Sequence, residues 1–267
     1  MRCQASKTRS QRSHWYSYVG NGLTSIEKRS TAPSFLSKLR RRGCLLLGMV
    51  LTILAGCATT EEAEVRRLRA RASYDLALSE LCLDRSRAGP CEPRVSVGLA
   101  SLKEAVSLNP AEPLYQNTLG LVYLNLKNLP QATDAFRKAL ELNPNYGEAL
   151  HNMGVAMAEA GQWEEAIKAY QKVVTIATFT HLESLYTNMG WAYYNLGRLG
   201  EAERALLQAI RLDPALEAAH YHLGLVLLKA GRREEARAAF RRTRELAPDS
   251  DFGRAAGEHL RALGEGQ

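Results

Sequence analysis

An all-α fold built from repeated helix pairs is predicted by two interleaved residue series and one break in them. Gly120, Gly154, Gly190 and Gly224 are spaced 34, 36 and 34 residues apart. Pro110, Pro144, Pro214 and Pro248 follow the same rhythm, with 34, 70 and 34 residues between them, so one proline of the set is missing. A fixed period of this length is the mark of a helical-repeat array. One unit of such an array cannot bury its apolar face alone, and stacked neighbours do so.

The units resemble the tetratricopeptide repeat (TPR), a helix A–turn–helix B unit. The stretch from Leu114 to Pro144 fits almost throughout, with Leu119, Gly120 and Tyr123 on helix A and Ala132, Phe136 and Ala139 on helix B. The second unit has Met153, Gly154, Met157, Ala166, Tyr170 and Val173, but Thr178 where the proline belongs. The third has Met189, Gly190, Tyr193, Ala202, Leu206, Ala209 and Pro214, and the fourth Leu223, Gly224, Leu227, Ala236, Phe240, Thr243 and Pro248. Each glycine is expected to meet the first alanine of helix B (Ala132, Ala166, Ala202, Ala236) where the helices cross most closely. The larger residues would fill the space beside that crossing. A proline pushes its predecessor out of the α region, so each proline ends a helix B. The resemblance implies a right-handed TPR helix–turn–helix solenoid.

In front of the array the chain changes character. The formal net charge of +7 comes from residues 1–56, which carry ten Lys/Arg against Glu27 alone; the rest is slightly acidic. That distribution removes a nucleic-acid reading of the charge. Residues 1–37 are polar and without period; they read as disordered, or as preceding the true start of translation. Lys38, Arg40, Arg41 and Arg42 precede an apolar run, Cys44 to Leu54, too short to span a bilayer and suited to a signal peptide. It ends in Leu54-Ala55-Gly56-Cys57, which resembles a bacterial lipobox. The resemblance implies cleavage before Cys57 and acylation of it, palmitate included. With Ala58 and not Asp next, it implies the outer membrane of a Gram-negative-type cell, with the array facing the periplasm.

The expected organisation is an extension and signal peptide over 1–56, a lipidated tether over 57–63 and an irregular first repeat over 64–110. Four TPR units over 111–249 and a capping helix and tail over 250–267 complete it. The first repeat's helix reads from Glu64 to Leu83, with apolar positions at Val65, Leu68, Ala72, Leu76 and Leu83. Its second half has Leu102, Ala105 and Pro110 in place, with Gly98 where alanine is usual. Cys82 and Cys91 flank the intervening Pro- and Gly-containing loop, and in an exported protein such a pair reads as a disulfide. Two extra residues and the missing proline fall in 173–184, a junction expected to shift the second unit against the third. Asp249 or Ser250 is placed to cap the last helix.

Catalytic patterns are absent from the sequence: H-E-x-x-H, G-x-S-x-G and the phosphate-binding G-x-x-x-x-G-K-[ST] do not occur. His220 and His222 lie two apart and cannot share a metal as an i, i+4 pair does. Glu164/Glu165 and Glu234/Glu235 begin B helices, where they complement the helix dipole. The expectation is therefore a non-enzyme, with no cofactor, no metal, no small-molecule substrate and a protein as partner.

The TPR resemblance implies a partner groove lined by helix A. Carried onto this chain, its positions are Asn117, Leu121 and Leu124; His151, Asn152, Val155 and Glu159; Asn188, Trp191, Tyr194 and Asn195; and Tyr221, Leu225 and Lys229. Asn152 and Asn188 match the family's carboxylate clamp, but Lys229 is the one suitable cation, which argues against a clamp. The lipobox, the irregular first repeat, the array and the phrase Asn188 to Arg198 together resemble the PilF/PilW-type pilotins of the type IV pilus secretin. That likeness implies the secretin as partner. The alternatives are a generic outer-membrane scaffold or an adaptor for peptidoglycan hydrolases or envelope polysaccharide enzymes.

Overall fold

The computed structural model describes residues 50–83 and 93–264. Eleven helices and no strands occur among them. They are α1 (Val50–Glu80), α2 (Val95–Leu108), α3 (Pro113–Asn125), α4 (Leu129–Leu142), α5 (Gly147–Glu159), α6 (Trp163–Val174), α7 (Leu182–Asn195), α8 (Leu199–Leu212), α9 (Glu217–Lys229), α10 (Arg233–Leu246) and α11 (Asp251–Ala262). The chain divides into two compact units, one ending at Leu119 and the other running from Gly120 to the C-terminus.

In the C-terminal unit each B helix buries the same four positions. They are Ala132, Ala135, Phe136 and Ala139 on α4; Ala166, Ala169, Tyr170 and Val173 on α6; Ala202, Ala205, Leu206 and Ala209 on α8; and Ala236, Ala239, Phe240 and Thr243 on α10. This i, i+3, i+4, i+7 register is one stripe of a helix. The residues before Pro144 and Pro214 take extended backbone, Ala247 before Pro248 also leaves the helical region, and α4, α8 and α10 stop there. The steric conflict of proline with the preceding residue's α region is the cause. Ser250 caps α11, its Oγ accepting from the Gly253 N–H at 3.0 Å.

The glycine spacing has a reason in what a Cβ at each position would meet. A Cβ on Gly120, Gly154 or Gly224 would lie about 2.4–2.5 Å from the ring of Phe136, Tyr170 or Phe240. On Gly190 it would lie 2.5 Å from Leu206 Cγ and 3.3 Å from the Ala202 carbonyl oxygen. The glycine thus seats the large residue of helix B, whose atoms are the nearest neighbours of its missing Cβ; the alanine is fully buried in all four units. A large residue can come this close to helix A only where helix A has no side chain.

A second glycine series went unread in the sequence. Gly161, Gly197 and Gly231 have φ of +76°, +75° and +80° in the turns between helices A and B. Lys127 holds the same place in the first turn with φ +58°. Left-handed backbone is available to glycine without a Cβ clash, and costs other residues about 1 kcal/mol. Gly200 is different: it sits in the first turn of α8, and a Cβ there would meet nothing within 4 Å. Gly200→Ala should therefore raise stability by about 0.5–1 kcal/mol in urea unfolding, since only backbone entropy changes. A loss of stability would contradict that placement.

The proline-free junction between α6 and α7 is closed by a side chain. Phe179 is buried, its ring 5.4 Å from His151, and it packs over the spot where Gly147 lacks a Cβ. The helix before it ends in helical backbone at Thr175, not in the extended step a following proline imposes elsewhere.

The N-terminal unit contains the antiparallel pair α1 and α2. Gly98 lets α2 approach α1: a Cβ there would fall 2.5 Å from Leu81 Cγ and 3.3 Å from the Ala77 carbonyl oxygen. The face of α1 that packs inward is Ala70, Tyr74, Ala77 and Leu81. This corrects the sequence expectation, because Val65, Leu68 and Leu76 lie exposed on the other side. Tyr74 decides the register: its ring stacks on Tyr115 at 4.7 Å and its hydroxyl bonds Thr118 Oγ1 at 3.1 Å. Burial pushes that hydroxyl up to about 12. The helix also starts earlier than Glu64 and runs through the stretch expected as a tether, where Glu61, Glu62 and Ala63 are ready helix formers. Cys82 is disulfide-bonded, and Cys91 lies outside the described residues. The charged segment 38–42 and most of the apolar run also fall outside them. Among the described residues, no helix is long and apolar enough to cross a membrane.

Candidate functional site

The A helices of the C-terminal unit line a groove of about 740 Å³. Its floor is one repeat position seen four times: Leu121, Val155, Trp191 and Leu225, each directly after its glycine. The glycine pulls helix B close on one side, so the next residue on helix A is turned to the open side. Asn152, Asn188 and His222 form a second row, also one residue per repeat. Leu124, His151, Ala158, Glu159 and Tyr221 complete the helix A lining, and the last helix closes one end with Asp251, Phe252 and Ala255.

Ten of the groove positions read from the sequence therefore meet here: Leu121, Leu124, His151, Asn152, Val155, Glu159, Asn188, Trp191, Tyr221 and Leu225. Asn117 does not: it is buried, with 3% of its surface exposed, in the N-terminal unit. Tyr194, Asn195 and Lys229 also fall outside the lining. Tyr194 is instead stacked behind Trp191, ring centroids 5.2 Å apart and nearly parallel. Lys229 lies over the Tyr194 ring at 4.5 Å and donates to the Tyr194 carbonyl at 3.4 Å. Asn195 donates from Nδ2 to the Trp191 carbonyl at 2.8 Å. These three residues contact Trp191 or one another outside the groove lining.

His222 and Phe252 are the aromatic-ring contacts of Trp191 and of the groove's closed end that sequence reasoning missed, along with Lys127, Ala158, Trp163, Tyr170, Asp251 and Ala255. The signal for His222 was its register, the same as Asn152 and Asn188. Its ring sits 4.7 Å from Trp191 and 5.6 Å from Phe252. Phe252 belongs to a helix read only as a cap, and nothing local in the sequence marks it as facing the groove.

The polar groups of the groove are held by one another. Asn188 donates from Nδ2 to His151 Nε2 at 2.9 Å, which leaves the imidazole proton on Nδ1. Burial drives the His151 pKa down to about 4, and the neighbouring His181 adds repulsion, so the ring is neutral at physiological pH. Lys127 bonds both Glu159 oxygens at 2.9 and 2.8 Å. Asp251 is paired with Arg254. With Lys127 neutralised by Glu159 and Lys229 committed to Tyr194, the groove offers no paired cations for a terminal carboxylate. It presents aromatic and aliphatic surface edged by amides, the neutral His151 imidazole and the His222 ring. No cluster of three or more His, Cys, Asp or Glu able to hold a metal occurs among the described residues.

Family models described as tetratricopeptide repeat match residues 111–178, 145–215 and 187–251, together more than half of the chain. The chain belongs to the tetratricopeptide-repeat family. Its TPR array is a protein-interaction scaffold. The peroxisomal targeting signal receptor of Kluyveromyces lactis is 31% identical over 111 residues, which are 42% of this chain and 19% of that protein. Among solved structures, PilF of Pseudomonas aeruginosa matches with a TM-score of 0.59 and 18% identity, over 76% of this chain and 95% of that one. PilW, described as a widely conserved type IV pilus biogenesis factor, matches at 0.60 and 18%, over 72% and 92%. At such identities the likeness is one of fold.

Proposed function

We propose that this chain is a non-enzymatic lipoprotein, anchored to the outer membrane through Cys57, whose TPR groove holds the pilus secretin during assembly. The observation that carries the reading is the groove itself: a concave surface floored by Leu121, Val155, Trp191 and Leu225 and free of paired cations. Such a surface suits an apolar segment of a partner protein. The lipobox-like Leu54-Ala55-Gly56-Cys57 supports the anchor, and the fold shared with PilF and PilW supports the pilus connection. A second reading, a scaffold for another envelope protein, draws on the equally clear similarity to a receptor unconnected with pili.

Trp191 is the expected anchor, because large aromatics in a groove dominate binding energy. Trp191→Ala should weaken partner binding by about 2 kcal/mol or more, whereas replacing exposed Glu165 on α6 should change almost nothing. Tyr194→Ala should act more weakly, by loosening Trp191 from behind. Pull-down from cell envelopes, with circular dichroism as the folding check, measures this. Folded Trp191→Ala protein that keeps every partner would end the groove reading. Failure of the wild type to capture a secretin would end the pilotin reading alone. In the same fractions, Cys57→Ser should leave the membrane or remain at precursor size.

A further inference from the structure

The last two helices carry positive charge that the fold does not use. α10 and α11 pack side by side, and Arg237, Arg244 and Arg261 lie along their seam. Arg237 is committed: it pairs with Glu234 and donates to the Leu263 carbonyl, although its Nε is buried with no acceptor among the described residues. Arg244 and Arg261 are exposed, and neither pairs with a carboxylate of a described residue. The nearby acids are engaged or turned away. Glu245 pairs with Arg242 at 3.4 Å, and Asp251 pairs with Arg254. Glu258 lies about 100° further round α11 than Gly257, on the side of Tyr221. Asp249 is exposed in the turn before α11 and pairs with neither arginine.

The two unpaired arginines converge on Gly257. A Cβ there would lie 3.9 Å from Arg261 Nη1 and 4.0 Å from Arg244 Cδ, which are ordinary contact distances. Packing therefore does not require this glycine. Gly253, one turn earlier, is the contrast: a Cβ there would run into the Ala247 carbonyl oxygen. Glycine in a helix interior is less stable than alanine. Gly257 thus weakens α11 without a packing reason and leaves the room of a methyl group open between two like charges. Those charges repel one another unless an anion sits between them. Each guanidinium presents a planar fork of N–H donors that matches an oxyanion bidentately. A carboxylate gives both its oxygens to one fork, whereas a phosphate has oxygens for two.

We propose that the seam between α10 and α11 binds a phosphate group between Arg244 and Arg261, over Gly257, supplied by a soluble phosphate ester or a lipid headgroup. The site lies outside the groove lining and goes beyond the groove's function.

The test follows the arginine Nε–H resonances of the full chain during titration with inorganic phosphate, with chloride at matched ionic strength as the control. Two resonances should shift saturably, and they should be the ones missing from Arg244→Gln and Arg261→Gln. Each substitution should weaken phosphate binding by roughly tenfold. Both should keep the wild-type melting temperature, since the altered side chains are exposed. Gly257→Ala should raise the melting temperature and yet weaken phosphate binding severalfold, because the methyl group favours the helix and fills the seat. A response that chloride reproduces overturns the proposal, as does phosphate binding that survives Arg244→Gln/Arg261→Gln or is undiminished in Gly257→Ala. Acetate bound as tightly as phosphate overturns it in favour of a carboxylate-bearing protein partner. Vesicles of phosphatidylcholine with and without phosphatidic acid identify the source. A preference for phosphatidic acid that the arginine substitutions remove assigns the phosphate to a lipid. No such preference, with inorganic phosphate still bound, assigns it to a soluble ester.

Discussion

Phe240→Ala is expected to cost the C-terminal unit about 3–5 kcal/mol, the range for emptying a fully buried aromatic site. Phe240 is fully buried. Its ring fills the space left by Gly224 and lies parallel to His259 of α11 at 4.7 Å, with Tyr221 at 5.9 Å. It therefore joins three helices: α10, which bears it, α9, and the capping α11. The alanine variant leaves a cavity at the end of the array, beneath His259 of α11. Loss should start there, so amide exchange in α9–α11 should rise before that in α4–α6, as expected when stability is a sum over neighbouring repeats. Phe240→Leu should cost much less, under about 1.5 kcal/mol. The third repeat already uses Leu206 against Gly190 in the same arrangement. A Phe240→Ala protein that melts like the wild type would refute the account of why the glycines recur.

Acidification should weaken the same unit through His151. An unfolded histidine titrates near 6.5, and in the fold burial against Tyr170 and Phe179, with repulsion from His181, brings His151 down to about 4. Between those values the unfolded chain holds a proton that the folded chain lacks. Its contribution to stability is therefore complete above about pH 6.5 and is lost as pH falls towards 4, by about 3 kcal/mol in all. The proton would also take away the lone pair that accepts from Asn188. Urea unfolding at stepped pH measures this, and His151→Asn should remove most of the slope in that window. His220, lowered mainly by its partial burial, leaves a smaller slope behind. An unchanged slope in the variant would show that His151 is charged, or solvated, in the fold.

The floor of the groove was legible because it follows from register. Once Gly120, Gly154, Gly190 and Gly224 are aligned, the residue after each faces away from helix B. Tyr194 and Lys229 fall outside the lining because register gives a direction but not a distance. Tyr194 stacks on Trp191, and Lys229 lies over the Tyr194 ring. Asn117 has the right register as well, but it precedes the division at Gly120 and is buried among different neighbours.

By itself the sequence determined the helix pairs and their ends, since these rest on local chemistry: proline excludes helical backbone before it, and a serine oxygen caps the next helix. It also determined the repeat, because spacing needs no partner to be read. Only the tertiary structure decided that the glycines seat Phe136, Tyr170, Leu206 and Phe240, that Phe179 plugs the junction without a proline, and that Phe252 ends the groove. It alone decided which side of α1 is core. Both sides are apolar enough to pack, and the choice fell to Tyr74, whose hydroxyl finds Thr118 and whose ring finds Tyr115, contacts more than forty residues distant that no local pattern encodes.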